Sequence, residues 1–222
     1  MIPTFSPLDS AYFDLAANIV ASVQCKQASF RLTRDMNRPA SFSNMNLYMV
    51  LGTVCLHGLM MAVNELFFRR AEFLHGIGWI YLPAGTRLIC TLMFGRAGAI
   101  GLLIAGWFAC YWYYFPGDAL RATTGTIAGA IGPYLVYLAA QSRYGLHASL
   151  TNLTPKRLLL CAVGCSIASP LLHHLWFSLH GGSDLLPGLL VMMIGDLLGT
   201  LIVLYTAKWL LSLLPLQQRR LR

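Results

Sequence analysis

Apolar residues run along this chain in long blocks, and most polar residues fall between the blocks rather than within them. A helix needs about 20 mostly apolar residues to cross a hydrocarbon core of about 30 Å. Six blocks meet or approach that length: 45–68, 77–94, 98–115, 122–140, 157–179 and 185–214. The pattern predicts an all-α, polytopic transmembrane bundle of about six spans, filling residues 45–214 as one domain. A mixed polar tail over 1–44 precedes it and a basic tail over 215–222 follows. The first tail carries Pro3, Pro7 and Pro39 and has no apolar run ending in a small-residue cleavage site, so no signal peptide is predicted. Met36 and Met45 serve equally well as starts, and residues 1–35 are expected to be dispensable.

Composition agrees with this picture. The chain of 222 residues is 57% hydrophobic and 11% charged, where soluble domains carry about 25% charge. A net charge of +8 would ordinarily suggest nucleic acid. Basic residues at the ends of membrane spans are topology signals first, and no basic run is interleaved with aromatics, so no nucleic-acid partner is predicted. If the N-terminus is cytoplasmic, twelve basic residues fall inside and three, Arg69, Arg70 and Arg121, fall outside. Both termini are therefore expected in the cytoplasm, with the lipid bilayer as the first partner.

The last block, LLPGLLVMMIGDLLGTLIVLYTAKWLLSLL, holds one carboxylate, Asp196, between Gly195 and Gly199. An acid at membrane depth costs roughly 2.5–3.5 kcal/mol on insertion scales, so it normally faces protein or water and has a partner. The basic residue deep in another block is Arg87, in YLPAGTRLICTLMFG. By helical rise both sit about 15 Å from the outer surface. Two readings stay open: a ligand or ion site between spans 2 and 6, or a structural ion pair that fixes helix register.

Other candidates have simpler readings. Glu65 is expected to pair with Arg69 one turn later, and Asp118 to cap the turn into span 4. Gly125, Gly129 and Gly132 predict a close-packing face on span 4. The cluster WFACYWYYF reads as an interfacial aromatic belt. Cys161 and Cys165 share a helix face but read as small buried apolar residues. His57, His173 and His174 invite a haem reading. Adjacent His173 and His174 point about 100° apart, so at most one joins His57, and the predicted depths match poorly. No metal or other cofactor is expected. No GxSxG, HExxH or phosphate-binding glycine loop is present in the sequence, so an enzyme is not expected.

The segment WIYLPAGTRLICTLMFG, with Pro83 and Gly85, resembles the W-x-P-x-G signature of the membrane-associated sensor domain family, MASE type one. GDLLGTLIVL, with Gly195, Asp196 and Gly199, is similar to that family's GD-x-x-G, and GTIAGAIGPYLVYLAAQSRYG to the segment between them. The resemblance covers about residues 77–212. It implies a bacterial inner-membrane sensory module, usually followed by a cytoplasmic kinase or cyclase domain. This sequence departs from the family in its span count, six where eight is common, and in ending at QQRRLR without an output domain. The expectation is a stand-alone sensor-type membrane domain that binds a small ligand or partner near Arg87 and Asp196 and relays to a separate cytoplasmic protein. The alternatives are the substrate-binding membrane subunit of a small-molecule transporter, such as those of energy-coupling-factor systems, and a structural membrane assembly factor.

Overall fold

A computed structural model describes residues 44–74, 76–146, 150, 152–179 and 185–213. The tails 1–43 and 214–222, with the start-site and basic-tail expectations, lie outside the described residues. Among the described residues six α-helices dominate: α1 (Asn44–Phe68), α2 (Pro83–Phe94), α3 (Arg96–Ala109), α4 (Ala119–Tyr144), α5 (Pro155–Leu179) and α6 (Leu185–Leu213). A short antiparallel hairpin of β1 (Glu72–Leu74) and β2 (Ile77–Gly78) joins α1 to α2. The protein is a helical membrane protein. Among the described residues, four helical stretches are long and apolar enough to cross a bilayer: Asn44–Ala71, Arg96–Tyr114, Pro155–Leu179 and Leu185–Leu210.

The surface of the bundle is apolar where a soluble protein's is polar, and its mostly apolar interior also takes in polar side chains. Leu186, Leu190, Ile194, Leu198 and Ile202 form an exposed ridge along α6 at four-residue spacing, and Leu171, Leu175 and Leu179 do the same on α5. The interior holds Thr53, His57, Asn64, Thr86, Thr91, Ser166, Ser169, Asp196 and Thr200. In hydrocarbon, apolar side chains outside lose nothing, while interior hydroxyls and amides must find partners in the protein. Most do so locally: Thr53 donates to the Met49 carbonyl at 2.8 Å and Thr91 to the Arg87 carbonyl at 2.6 Å. An apolar cluster that includes Leu88, Leu92, Cys161 and Cys165 fills one end, so both cysteines are packing residues.

The second predicted span departs from expectation. Over 77–94 only Pro83–Phe94 is helical, 12 residues or about 18 Å, too short to cross alone. The part before it is strand β2 and a non-helical stretch that lies along α6. Tyr81 N–H donates to the Gly195 carbonyl at 3.1 Å, and Leu82 N–H donates to Asn64 Oδ1 at 2.9 Å. These bonds satisfy backbone groups that a helix would have satisfied internally. Pro83 opens α2, where its missing N–H is harmless. The chain then reverses at Gly95, whose φ of 54° lies in the left-handed region.

α1 and α3 run parallel, with Val50 near Ala97 at one end and Glu65 near Tyr114 at the other. α3 ends in one π-helical turn, Cys110–Tyr114. Asp118 caps α4 by accepting from Arg121 N–H at 2.9 Å, as expected. α4 packs antiparallel on α5 through Gly132, whose Cα approaches the Ser169 backbone so closely that a Cβ would lie 2.8 Å from its nitrogen.

Candidate functional site

The two sequence motifs meet each other. Gly195 faces the carbonyl of Gly78, Gly199 faces that of Tyr81, and Gly85 faces the Val203 side chain, where a Cβ would lie 2.5 Å from Val203 Cβ. None of the three sites has room for a methyl group, so the glycines let the stretch from Gly78 to Gly85 lie against α6 backbone to backbone. Pro83 fixes where that stretch becomes α2. The contact positions Arg87 on α2 and Asp196 on α6 around a common cavity of about 80 Å³. His57, Tyr81, Arg121 and His173 also line it.

Arg87 is held by neutral groups. Its Nη2–H donates to the Tyr81 hydroxyl at 3.1 Å, Nη1–H makes a long contact of 3.5 Å to Ser169 Oγ, and the guanidinium lies 5.0 Å from the Tyr81 ring centroid. Gly129 keeps the space beside it open: a Cβ there would sit 3.3 Å from Arg87 Cζ. The expected small-residue face of α4 therefore divides its work. Gly132 packs against α5, whereas Gly129 makes room for Arg87, and Gly125 lies beside the His173 ring.

Asp196 is only 2% exposed, and its Oδ1 has no hydrogen-bond partner. Thr200 Oγ1, one turn along α6, is in the same condition. Among the described residues these are the two buried side-chain oxygens or nitrogens left unsatisfied, and no ion pair joins Asp196 to Arg87. A buried donor or acceptor without a partner costs about 1–3 kcal/mol, more when charged, so such atoms concentrate where something else binds.

His57 adds a directed acceptor. The Thr86 hydroxyl donates to the Pro83 carbonyl at 2.8 Å, which uses its single proton. His57 Nδ1, 2.9 Å from Thr86 Oγ1, must then be the donor, leaving Nε2 as a lone pair. Helical depth does not separate His57 from the other histidines as expected, because His57 and His173 both line the cavity. His174 turns away toward Gly188 of α6, so one histidine of the adjacent pair joins His57, as their angular separation requires. Among the described residues no three His, Cys, Asp or Glu side chains converge as a metal-binding group.

Two further groups escape a reading of the sequence. Tyr81 is the principal holder of Arg87. Glu65 accepts from the Tyr113 hydroxyl at 2.9 Å and the Tyr114 hydroxyl at 2.7 Å, so its partners come from the aromatic cluster of α3 and not from Arg69. These pairings join residues far apart in sequence, which helical periodicity does not report. No protein-family model, curated protein or solved structure matches the chain.

Proposed function

We propose that this chain forms a sensor-type receptor module of a bacterial inner membrane, which binds a small polar ligand in the cavity between Arg87 and Asp196. The observation that carries the reading is the orphaned, buried Asp196 carboxylate, which shares that cavity with a guanidinium held only by neutral partners. A structural ion pair would have closed the two charges on each other. The resemblance to membrane-associated sensor domains supports the same reading, since its motif residues Pro83, Gly85, Gly195 and Gly199 build the contact that frames the cavity. In this reading six elements cross the membrane, with β2, the non-helical stretch and α2 together making the second crossing, and both termini are cytoplasmic.

Ligand binding would tie α2 to α6 across the cavity. α6 continues as one helix from Asp196 to Leu213, about 25 Å further, so a shift at the site reaches the cytoplasmic end, where a separate partner protein reads it. A ligand moves such an equilibrium only by its differential affinity for the two packings.

The test is a thermal-shift screen of small polar compounds against the full chain in nanodiscs. At least one compound should raise the melting temperature of the wild type and fail to do so in both Asp196→Asn and Arg87→Gln. Hits that stabilise all three proteins equally would sink the reading. One observation favours transport as a second reading: interrupted crossings that line a mid-membrane site occur in transport proteins. Neighbouring genes for an ATPase pair and a coupling subunit would support it, whereas kinase or cyclase genes would support sensing.

A further inference from the structure

The chemistry of the cavity wall narrows the ligand class, on the assumption that the cavity is the binding site. Two charged side chains are withdrawn into the wall, Arg87 and Asp196, and they do not neutralise each other by direct contact, whereas Arg121, the third charged lining residue, is exposed and lies over the Phe115 ring. An anionic ligand would pair with Arg87 and leave Asp196 more isolated. A cationic ligand would do the reverse. Either adds a net charge to a site at membrane depth, where an uncompensated charge is costly. A ligand that brings both signs and no net charge removes both deficits at once.

The hydrogen-bond inventory agrees. A guanidinium has five N–H donors, and Arg87 commits two, one of them long. Three remain for an incoming carboxylate, and the planar fork of arginine suits a carboxylate bidentately. Asp196 lines the same cavity and accepts from none of the described residues. A buried carboxylate left without a donor matches an ammonium group, which has three donors and no acceptor.

Size sets the remaining limit. At roughly 10–15 Å³ per water-sized occupant, a cavity of about 80 Å³ holds about six non-hydrogen atoms. From charge, donor count and volume together, we infer that the ligand is a small amino-carboxylate zwitterion, with its carboxylate on Arg87 and its ammonium on Asp196.

The experiment is equilibrium binding to the full chain in nanodiscs, with glycine, alanine, β-alanine and 4-aminobutyrate as probes. Methylammonium chloride and sodium acetate serve as the two half-ligands. At least one zwitterion should bind saturably, at least ten-fold more tightly than either half. Asp196→Asn and Arg87→Gln should each weaken it by ten-fold or more. The comparison between whole and half ligands uses wild-type protein alone, so it holds even if a variant does not fold. Acetate binding as tightly as the zwitterions would make this an anion site and overturn the inference. Methylammonium binding as tightly would make it a cation site and overturn the inference equally. If no zwitterion binds but a compound of another class does, and Asp196→Asn abolishes it, the ligand class is wrong and the receptor reading stands. If no compound's binding depends on either residue, both fall.

Discussion

Gly199 of α6 lies directly against the backbone carbonyl of Tyr81, so the stretch before α2 and the last helix touch there main chain to main chain. The hydrogen bond from Tyr81 N–H to the Gly195 carbonyl, one turn earlier on α6, belongs to the same contact. Everything proposed for the cavity depends on this seam, because it sets where Arg87 stands relative to Asp196.

Gly199→Ala and Gly195→Ala should therefore each lower the melting temperature in detergent, by the equivalent of about 1–3 kcal/mol, the usual cost of overpacking a close contact. Gly52→Ala is the control. Nothing lies within 4 Å of a Cβ there, and the residue faces outward on α1. In a helix interior alanine is favoured over glycine by about 0.5–1 kcal/mol, so this control should melt at or above the wild-type temperature. Equal melting of all three variants would refute the seam.

The two charges should respond unequally. Arg87→Ala removes the bond to Tyr81, the contact to Ser169 and the stacking over the Tyr81 ring, a loss of about 1.5–3 kcal/mol for bonds to a charged group. Asp196→Asn removes no direct bond and should stay within about 1 kcal/mol of wild type. The exchange Arg87→Asp with Asp196→Arg should not restore folded yield, because Tyr81 and Ser169 remain arranged for a cation beside α2. Full rescue by the exchange would establish an ion pair and remove the basis of the site.

Glu65 gathers two tyrosine hydroxyls, one buried and one exposed. Tyr114→Phe should cost about 1.5–3 kcal/mol, as expected for a hydrogen bond to a charged acceptor. Tyr113→Phe should cost clearly less, since water replaces the lost bond. Melting curves of the two variants, side by side, decide the order.

Thr86 orients His57. Thr86→Val keeps the volume but strands the His57 Nδ1–H in a buried site, at about 1–3 kcal/mol. Thr86→Ser should retain the wild-type melting temperature. Nitrogen-15 imidazole spectra should report the Nδ1–H tautomer in the wild type and in Thr86→Ser, and a changed ratio in Thr86→Val.

Length and apolarity make α1, α3, α5 and α6 legible in the sequence, since a crossing helix needs little beyond a long hydrophobic run. The same criterion misreads residues 77–82. A short, partly buried apolar stretch has no period to betray that it is extended, and the local signal is Pro83, which favours the first turn of a helix over its middle. Arg87 and Asp196 stand out because charge is rare in such blocks, and the structure brings both to one cavity. Their lack of direct contact is not readable, because it depends on Tyr81 and Ser169 taking the guanidinium first. Glu65 misleads for a related reason. The nearest cation in sequence is one turn away, while the hydroxyls that reach it come from a helix more than forty residues further on.

Gly78, Tyr81 and Gly85 meet Gly195, Gly199 and Val203 in step, so the two strips of chain advance together like teeth on matched racks. The number of residues between Gly78 and Gly85 is then constrained as tightly as their identity. Inserting a single residue there would bring side chains where bare carbonyls now rest, and would displace Arg87 relative to Asp196. Related chains that keep this architecture should vary freely on the lipid-facing ridges yet hold this spacing without a gap.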